Sequence, residues 1–415
     1  MNSFVESALR TFCSSNEIFG ESSNYVRFEE KAVSKESNKK VDGLNSEIKF
    51  GHIVYRNQAN EERISASFAL KTKPTTSFLE DFVIAQFFNE ITFHVRALPF
   101  LQQQGDVQPL LAKFYDSFVR SSAQGTEFVL IFEDLKSQGF RMHERHSFLD
   151  VDHLLLMLNR LGRFHSYSYR AKGQDLKGFQ ALGRWFHDAQ GELAHRWPNF
   201  MDSHGLRGLK PLRHEPRYSS QLATIEKYLQ NSGDFIRQWN TSEQDQPMSV
   251  LCHGDYLRGN IMFRYENGRP VEQKMIDLAT PRLASPAIDL GGVLYLNADQ
   301  QTRNQHWDRL IDAYYEGLIE VFGRDEMPSR DSILNEFKVR ALYAYFIASY
   351  FLPRVLGCDL GKPDFFELVP PEYASNREVD LPNDVYQKIC EIWGGEETTE
   401  ALADILRDMI DRGFI

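Results

Sequence analysis

Cysteine is scarce in this chain: four in 415 residues, at positions 13, 252, 358 and 390, with no CxxC spacing among them. So scattered a set excludes a disulfide framework and points to reduced thiols and a cytoplasmic setting. Basic charge is in deficit as well, with 47 Lys and Arg against 58 Asp and Glu and a net charge of −11. That balance argues against nucleic acid or an anionic membrane surface as the main partner. Long apolar runs are missing: the longest uncharged hydrophobic stretch, Ala341 to Leu352, falls well short of the ~20 residues that cross a bilayer. Flanked by Arg340 and Arg354, it reads as a buried helix. The start has no basic leader followed by a continuous apolar core, so no secretory signal is expected. Internal repeats and low-complexity tracts are absent too. What remains is of ordinary globular composition, 42% hydrophobic and 25% charged, and long enough for two lobes.

The informative segment is His253-Gly254-Asp255-Tyr256-Leu257-Arg258-Gly259-Asn260, followed by Met275-Ile276-Asp277. Met248 to Cys252 has strand character, Ile261 to Tyr265 reads as a second strand, and Val271 to Ile276 as a third. Asn267-Gly268 between the last two is a strong hairpin signal. Folding the arms about that turn sets Asn260 roughly opposite Asp277 at the open end, where paired residues sit about 5 Å apart. Two oxygen-bearing side chains there suit a hard octahedral cation such as Mg²⁺. Asp255, on the loop just upstream, is free to face an acceptor alcohol. This trio fits phosphoryl transfer, with one carboxylate for a hydroxyl proton and two oxygen ligands for magnesium. His253 alone lacks the companions a zinc site needs and reads as a structural histidine bonded to backbone.

Upstream, Arg63 to Lys71 alternates as a half-buried strand should, with Ile64, Ala66, Phe68 and Leu70 on one face. Ser65, Ser67, Ala69 and Lys71 share the other, and Lys71 at its end could pair with nucleotide phosphates. Lys73 has the same parity and is the rival. A helix follows from about Ser77 to Leu98, bounded by Pro74 and Pro99. Leu79, Val83, Phe87, Ile91 and Val95 form its apolar ridge. Glu90, at the margin of that ridge, is placed to hold the lysine in an ion pair, whereas Glu80 is explained by the helix dipole. The apolar run Phe128 to Phe132 stops at Glu133-Asp134-Leu135, a buried strand ending in a polar turn. Leu154, Leu155, Leu158, Leu161 and Phe164 mark another helix, with Asp152 as N-cap. Leu310, Ile311, Tyr314, Leu318 and Phe322 mark a further amphipathic one.

His-Gly-Asp-x4-Asn followed by Ile-Asp resembles the aminoglycoside phosphotransferase and choline kinase branch of the protein-kinase-like fold. Val250 to Asp255, Asn260 to Phe263 and Ser285-Pro286-Ala287-Ile288-Asp289-Leu290 look more narrowly like the ecdysteroid kinase-like (CHK kinase-like) family of insects. The resemblance spans nearly the whole chain from about Ile18, and is looser before residue 60. Lys71-Thr72-Lys73-Pro74 is similar to the family's Lys-x-x-Pro, which favours Lys71 over Lys73. The resemblance implies an α+β, bilobal kinase-like fold: a small antiparallel-sheet N-lobe with one helix (residues 1–135, after an N-terminal helix) and a larger, mainly helical C-lobe (136–415). It also implies ATP and Mg²⁺ as cofactors, adenine bound by the hinge backbone at Glu133 and Leu135, and Asp289 anchoring the second lobe through hydrogen bonds. The acceptor would be a hydroxyl of a small molecule, such as an ecdysteroid or a dietary toxin.

Two departures stand out. The phosphate-covering loop is expected at Asp42-Gly43-Leu44-Asn45-Ser46, with a single glycine, and Leu278-Ala279 replaces the family's usual Phe-Gln. They keep a non-catalytic nucleotide- or ligand-binding pseudokinase open beside the kinase, with a metal-dependent hydrolase using His253 and Asp255 third. Trp185, Tyr343, Tyr345, Phe346, Tyr350 and Phe351 either line an aromatic cavity or, as aromatic stripes more often do, pack in the core.

Overall fold

The computed structural model describes residues 3–20, 23–31, 46–74, 80–123, 125–143, 148–241, 247–363, 365–374 and 380–415. It is a mixed α/β architecture, an antiparallel sheet in the N-terminal part and a helical C-terminal part. The sheet is built from β1 (Asn24–Glu30), β2 (Glu47–Arg56), β3 (Glu62–Thr72), β4 (Phe114–Ser122) and β5 (Gly125–Glu133), in the order β1-β2-β3-β5-β4. Both of its faces are covered. The Ser3–Ser15 helix places Leu9 and Phe12 against Ile53, Phe68, Leu70, Val129 and Ile131. On the other side Val83 and Phe87 of the Glu80–Thr92 helix meet Phe128 and Leu130. This double cover explains why β5 is a continuous apolar run rather than an alternating one.

The alternation expected along β3 holds only at its C-terminal end. Phe68 and Leu70 are buried, but Ile64 is 64% exposed. The β2–β3 register slips between His52 and Val54. A bulge there reverses the parity of the residues before it and turns Ile64 to solvent.

The helix expected to stop before Pro99 runs on. Glu80–Thr92 is followed by a π turn, Phe93–Ala97, and then by Leu98–Gln102. Leu98 N–H donates to the Phe93 carbonyl, and the widened turn absorbs the hydrogen bond that Pro99 cannot make. Ser77 and Leu79 lie outside the described residues. The cap of the Val151–Gln174 helix is Asp150, not Asp152: extended Asp150 accepts the His153 N–H, and Asp152 falls in the first turn.

Two short sheets carry the remaining strands. β6 (Val250–Cys252) pairs with β9 (Arg282–Ala284), and β7 (Ile261–Glu266) with β8 (Arg269–Met275). Asn267 and Gly268 both have positive φ, 51° and 80°, the turn that an Asn-Gly pair favours. Around these sheets pack the long helices Val151–Gln174, Gln300–Glu320, Arg330–Leu356 and Asn383–Asp411. Tyr343, Tyr345 and Phe346 are buried in this core, and Trp185 and Phe351 lie half-buried against it. All four cysteines are free thiols. Among the described residues no helix is long and apolar enough to cross a membrane.

The Val151–Gln174 and Gln300–Glu320 helices cross backbone to backbone through a pair of glycines. A Cβ on Gly317 would lie 1.8 Å from the Asn159 carbonyl oxygen, and one on Gly162 2.0 Å from that of Tyr314. Backbone cannot yield as a side chain would, so Gly317→Ala should destabilise the protein by about 1–3 kcal/mol, outweighing its gain in helix propensity of up to ~1 kcal/mol. Thermal or urea unfolding checks this; an unchanged or raised midpoint contradicts the close crossing.

Candidate active site

The site grows from the end of β3. Lys71 points away from the Ser3–Ser15 helix, toward the Glu80–Thr92 helix, and is 6% exposed. Its Nζ donates to Glu90 Oε2 at 2.5 Å and to Asp277 Oδ1 at 2.6 Å. A buried ammonium is tolerated only when paired, and here two carboxylates hold it protonated. Lys73 instead bonds Glu80 at 2.6 Å, away from this cluster. Burial pushes the Glu90 carboxyl up to about 7, with Lys71 opposing and the Asp277 charge adding to the rise. One turn along, burial and the Lys71 charge hold His94 neutral, down at about 3.

The β7–β8 hairpin brings the second group. Ile261 pairs with Met275, and Ile276 N–H donates to the Asn260 carbonyl at 3.0 Å. Asn260 therefore faces Ile276 rather than Asp277: the register shift between Arg264 and Tyr265 carries its pairing from Met275, where the two-residue turn alone would set it, only as far as Ile276. Asp277 sits one step beyond with φ 61°, a left-handed conformation that costs a non-glycine residue on the order of 1–3 kcal/mol. It is in this conformation that its carboxylate meets Lys71. Asn260 Nδ2 donates to both the Asp255 carbonyl and Asp255 Oδ2, each at 2.8 Å. Burial first, then the Asp277 charge, pushes the Asp255 carboxyl up to about 6, against the Asn260 bond. Asp255, Asn260, Asp277, Lys71 and Glu90 thus form one connected cluster.

The turn holding Asp255 is fixed from behind. Asp289 accepts the backbone N–H of His253 at 2.7 Å and of Gly254 at 2.9 Å, and bonds His165 Nε2 at 3.1 Å. His253 is fully buried; its Nε2 meets the Ile276 carbonyl at 3.1 Å, and burial lowers its basicity. Its other ring nitrogen accepts the Asp255 N–H at 3.4 Å, so both nitrogens are engaged with backbone and tie the Asp255 turn to the strand that leads to Asp277. Gly254 has φ 84°, and a Cβ there would lie 1.9 Å from the Thr280 carbonyl oxygen.

Glu133 and Leu135 lie apart from this cluster, where β5 ends. Glu133 N–H donates to the Lys113 carbonyl at 2.9 Å, and the Leu135 carbonyl accepts from Phe140 N–H at 3.1 Å. Between them Asp134 is buried and accepts from Lys31 Nζ at 2.8 Å and Ser67 Oγ at 2.6 Å, bonds that hold its carboxyl low despite burial. Asp42, Gly43, Leu44 and Asn45 of the expected phosphate-covering loop lie outside the described residues; Ser46 is buried. Leu278 enters the core, and the Ala279 carbonyl accepts from Asn89 Nδ2 at 3.3 Å.

Sequence reasoning passed over Asn89 and Arg282. Asn89 is buried and also bonds both the N–H and the C=O of His187, at 2.8 and 2.9 Å. Arg282 is 8% exposed, its guanidinium held by Gln190 Oε1 at 2.6 Å and the Tyr343 hydroxyl at 3.2 Å. Asn89 sits directly before Glu90, and a buried amide beside an ion-pairing glutamate was the available signal. Arg282 had none.

The sequence profile described as the ecdysteroid kinase-like family matches residues 40–324, more than half of the chain. The chain belongs to the ecdysteroid kinase-like family. That places it in a family of small-molecule kinases with a kinase-like fold. No curated protein matches it. Among solved structures it is similar to a microcompartment-associated aminopropanol kinase, with 11% identity and a TM-score of 0.48, covering 100% of this chain and 99% of that one. It is also similar to an aminoglycoside phosphotransferase from Alicyclobacillus acidocaldarius, with 14% identity, a TM-score of 0.37 and 92% of both chains covered. A GDP complex of aminoglycoside 2′-phosphotransferase-IIIa shows 10% identity and a TM-score of 0.42, over 94% of this chain and 99% of that one.

The Asp255 carboxyl yields a stability prediction whose sign is fixed by its raised value. In the unfolded chain it ionises near pH 4, while the folded protein keeps the proton up to about pH 6. Stability contributed by this group is therefore intact below pH 4 and falls as pH rises from about 4 to 6. Asp255→Asn keeps an oxygen for Asn260 but carries no charge. It should be more stable than the wild type at pH 8, by on the order of 2–3 kcal/mol, with the advantage vanishing near pH 4. Paired melts across pH check this; equal stability at pH 8 rules it out.

Proposed function

We propose that this ecdysteroid kinase-like protein is an ATP-dependent, Mg²⁺-requiring O-phosphotransferase acting on a hydroxyl of a small molecule. The observation that carries this reading is the position of Lys71, bonded at once to Glu90 and to Asp277. A lysine held by a helix glutamate and set beside a carboxylate is suited to grip nucleotide phosphates next to a metal.

In this reading Asp255 accepts the proton of the acceptor alcohol while the alcohol oxygen bonds to the γ-phosphorus and the bond from that phosphorus to the bridging oxygen breaks, releasing ADP. A carboxyl pushed up to about 6 is well matched to that work near neutral pH. Asn260 keeps Asp255 aimed through its Nδ2, which turns its own Oδ1 away as the amide atom left to ligate a cation. Asp277 offers Oδ2, since Oδ1 faces Lys71. Two hard oxygens fit Mg²⁺, which supplies neutralisation of phosphate charge when bound. An adenine edge would be read by the Glu133 carbonyl and the Leu135 N–H, the hinge groups not committed to the Lys113 and Phe140 bonds above. We further propose the division into lobes at residues 1–135 and 136–415, with nucleotide bound between them.

The test is phosphate transfer from labelled ATP to a panel of hydroxylated small molecules. Asp255→Asn should lower kcat by roughly 10²–10⁴-fold, and Lys71→Met should raise the KM for ATP by about tenfold or more. The wild-type kcat/KM should rise with pH to a plateau above about 6, since the base works unprotonated. Mg²⁺-dependent ATP binding without transfer to any alcohol would favour the pseudokinase instead, and failure to bind ATP with Mg²⁺ would defeat both.

A further inference from the structure

We propose that His143, Asp150 and His153 form a site for one divalent transition-metal ion of the zinc class, apart from the Asp255 cluster and independent of the phosphotransferase reading. The three residues come from two separate stretches of chain. Asp150 caps the Val151–Gln174 helix and His153 lies in its first turn, while His143 belongs to the segment that follows Gly139. One ligand atom from each lies within 4.8 Å of those of the other two. Zn²⁺ at its usual bond length of about 2.0–2.1 Å sets tetrahedral ligand atoms about 3.3 Å apart. The site therefore has to close by about 1.5 Å at most, a distance that the half-buried His143 and exposed Asp150 side chains cover by rotation.

The β7–β8 hairpin puts His143 in place. Arg141 and Phe263 exchange backbone hydrogen bonds, both at 2.8 Å, so the chain past Gly139 runs along β7 as an added edge. Successive side chains then face opposite ways. Met142 packs toward Leu135 and Phe140, and the Arg141 guanidinium lies over the Tyr265 ring at 4.4 Å. His143 shares the Arg141 side, and its ring stands edge-on to that of His153 with centroids 4.6 Å apart. Helix capping accounts for Asp150 and for the backbone of His153. It does not call for a second imidazole beside the same carboxylate.

His153 is 4% exposed and already held as a ligand would be. Its Nε2 lies 3.0 Å from the Tyr265 hydroxyl and its Nδ1 2.8 Å from Asp150 Oδ1. With the ring proton on Nε2, donated to the Tyr265 oxygen, Nδ1 turns its lone pair toward Asp150 and the ion takes the place between them. A metal-bound histidine ordinarily has its other nitrogen fixed in this way. Only the position of the ring proton changes, so a neutral His153 releases no proton on binding. The partial positive charge at the helix start opposes a cation weakly, and the Asp150 carboxylate in direct contact with the ion outweighs it. Two imidazoles and one carboxylate suit Zn²⁺, Co²⁺ or Ni²⁺, whereas Mg²⁺ takes oxygen ligands. The oxygens proposed for Mg²⁺ start at Asn260, roughly 15 Å along the strand from Tyr265. A bound ion ties the chain past Gly139 to the first turn of the Val151–Gln174 helix.

The experiment is a calorimetric titration of the untagged, metal-stripped full chain with Zn²⁺ in excess Mg²⁺, repeated with Co²⁺ by visible absorption. We expect one Zn²⁺ per chain and a Co²⁺ spectrum of mixed nitrogen and oxygen ligation. Asp150→Asn, which keeps the helix cap, and His143→Ala should each weaken Zn²⁺ binding about tenfold or more, with folding verified by melts without zinc. Asp255→Asn should leave the affinity unchanged. No stoichiometric binding in excess Mg²⁺, wild-type affinity in His143→Ala or in Asp150→Asn, or loss of the ion in Asp255→Asn each overturns the site. None of these readouts involves phosphate transfer, so their failure leaves the phosphotransferase reading standing, and the failure of that reading leaves them untouched.

Discussion

One buried ammonium joins three parts of the chain that are far apart in sequence. Lys71 comes from the end of β3, Glu90 from the Glu80–Thr92 helix and Asp277 from the second position after the β7–β8 hairpin. Neither the Lys71 nor the Glu90 charge is tolerable alone at that depth, since an unpaired buried charge costs several kcal/mol, while Asp277 is half-buried. Together they fix the spacing of the sheet, the helix and the hairpin. The balance is uneven, however: two carboxylates face one lysine, with Asp255 close enough to feel Asp277. Glu90 and Asp255 both resist ionisation for that reason as well as burial. On the proposed reading, Asp277 would hold a divalent cation that offsets this surplus of negative charge, with Lys71 placed to meet the phosphates.

Behind this cluster lies a second, quieter constraint. Asp289 takes two consecutive backbone N–H groups and a buried histidine, and its carboxyl is held low by those bonds despite burial. Hydrogen bonds to a carboxylate from backbone groups are short and directional. They fix the His253-Gly254 backbone, so the position of Asp255 is set before any ligand arrives. His253 extends the same support sideways to the Ile276 carbonyl, one residue from Asp277. A histidine that sequence alone leaves ambiguous is thus a brace between the two acidic residues on which the proposed chemistry rests.

Much of this was legible in the chain because the patterns are local. Asn267-Gly268 announces its hairpin, the apolar run before Glu133 its buried strand, and the parity of β3 puts Lys71 on the face toward Glu90. Errors arose where a single residue shifts a register. The slip between Arg264 and Tyr265 carries Asn260 from Met275 to Ile276, one residue short of Asp277, and the one between His52 and Val54 exposes Ile64. A bulge has no strong sequence signature, yet it changes every pairing beyond it. Pro99 misled in another way, since a π turn can carry a helix past a proline. Contacts such as Asn89 with His187, 98 residues apart, depend on tertiary packing that no local pattern encodes.

Asn89 and Glu90 are neighbours on one helix, and that adjacency has a mechanical consequence. Glu90 sets the lysine proposed for phosphate, while Asn89 grips His187 and Ala279, the latter lying two residues beyond Asp277. The lysine and the segment that follows Asp277 therefore share one support. Tilting this helix to change the Lys71–Glu90 distance would also strain three hydrogen bonds of a buried amide, and breaking them unpaired costs about 1–3 kcal/mol for each group left without a partner. A helix so tethered at adjacent positions resists moving at one end of the site alone, which favours keeping Lys71 and Asp277 in register over independent adjustment of either.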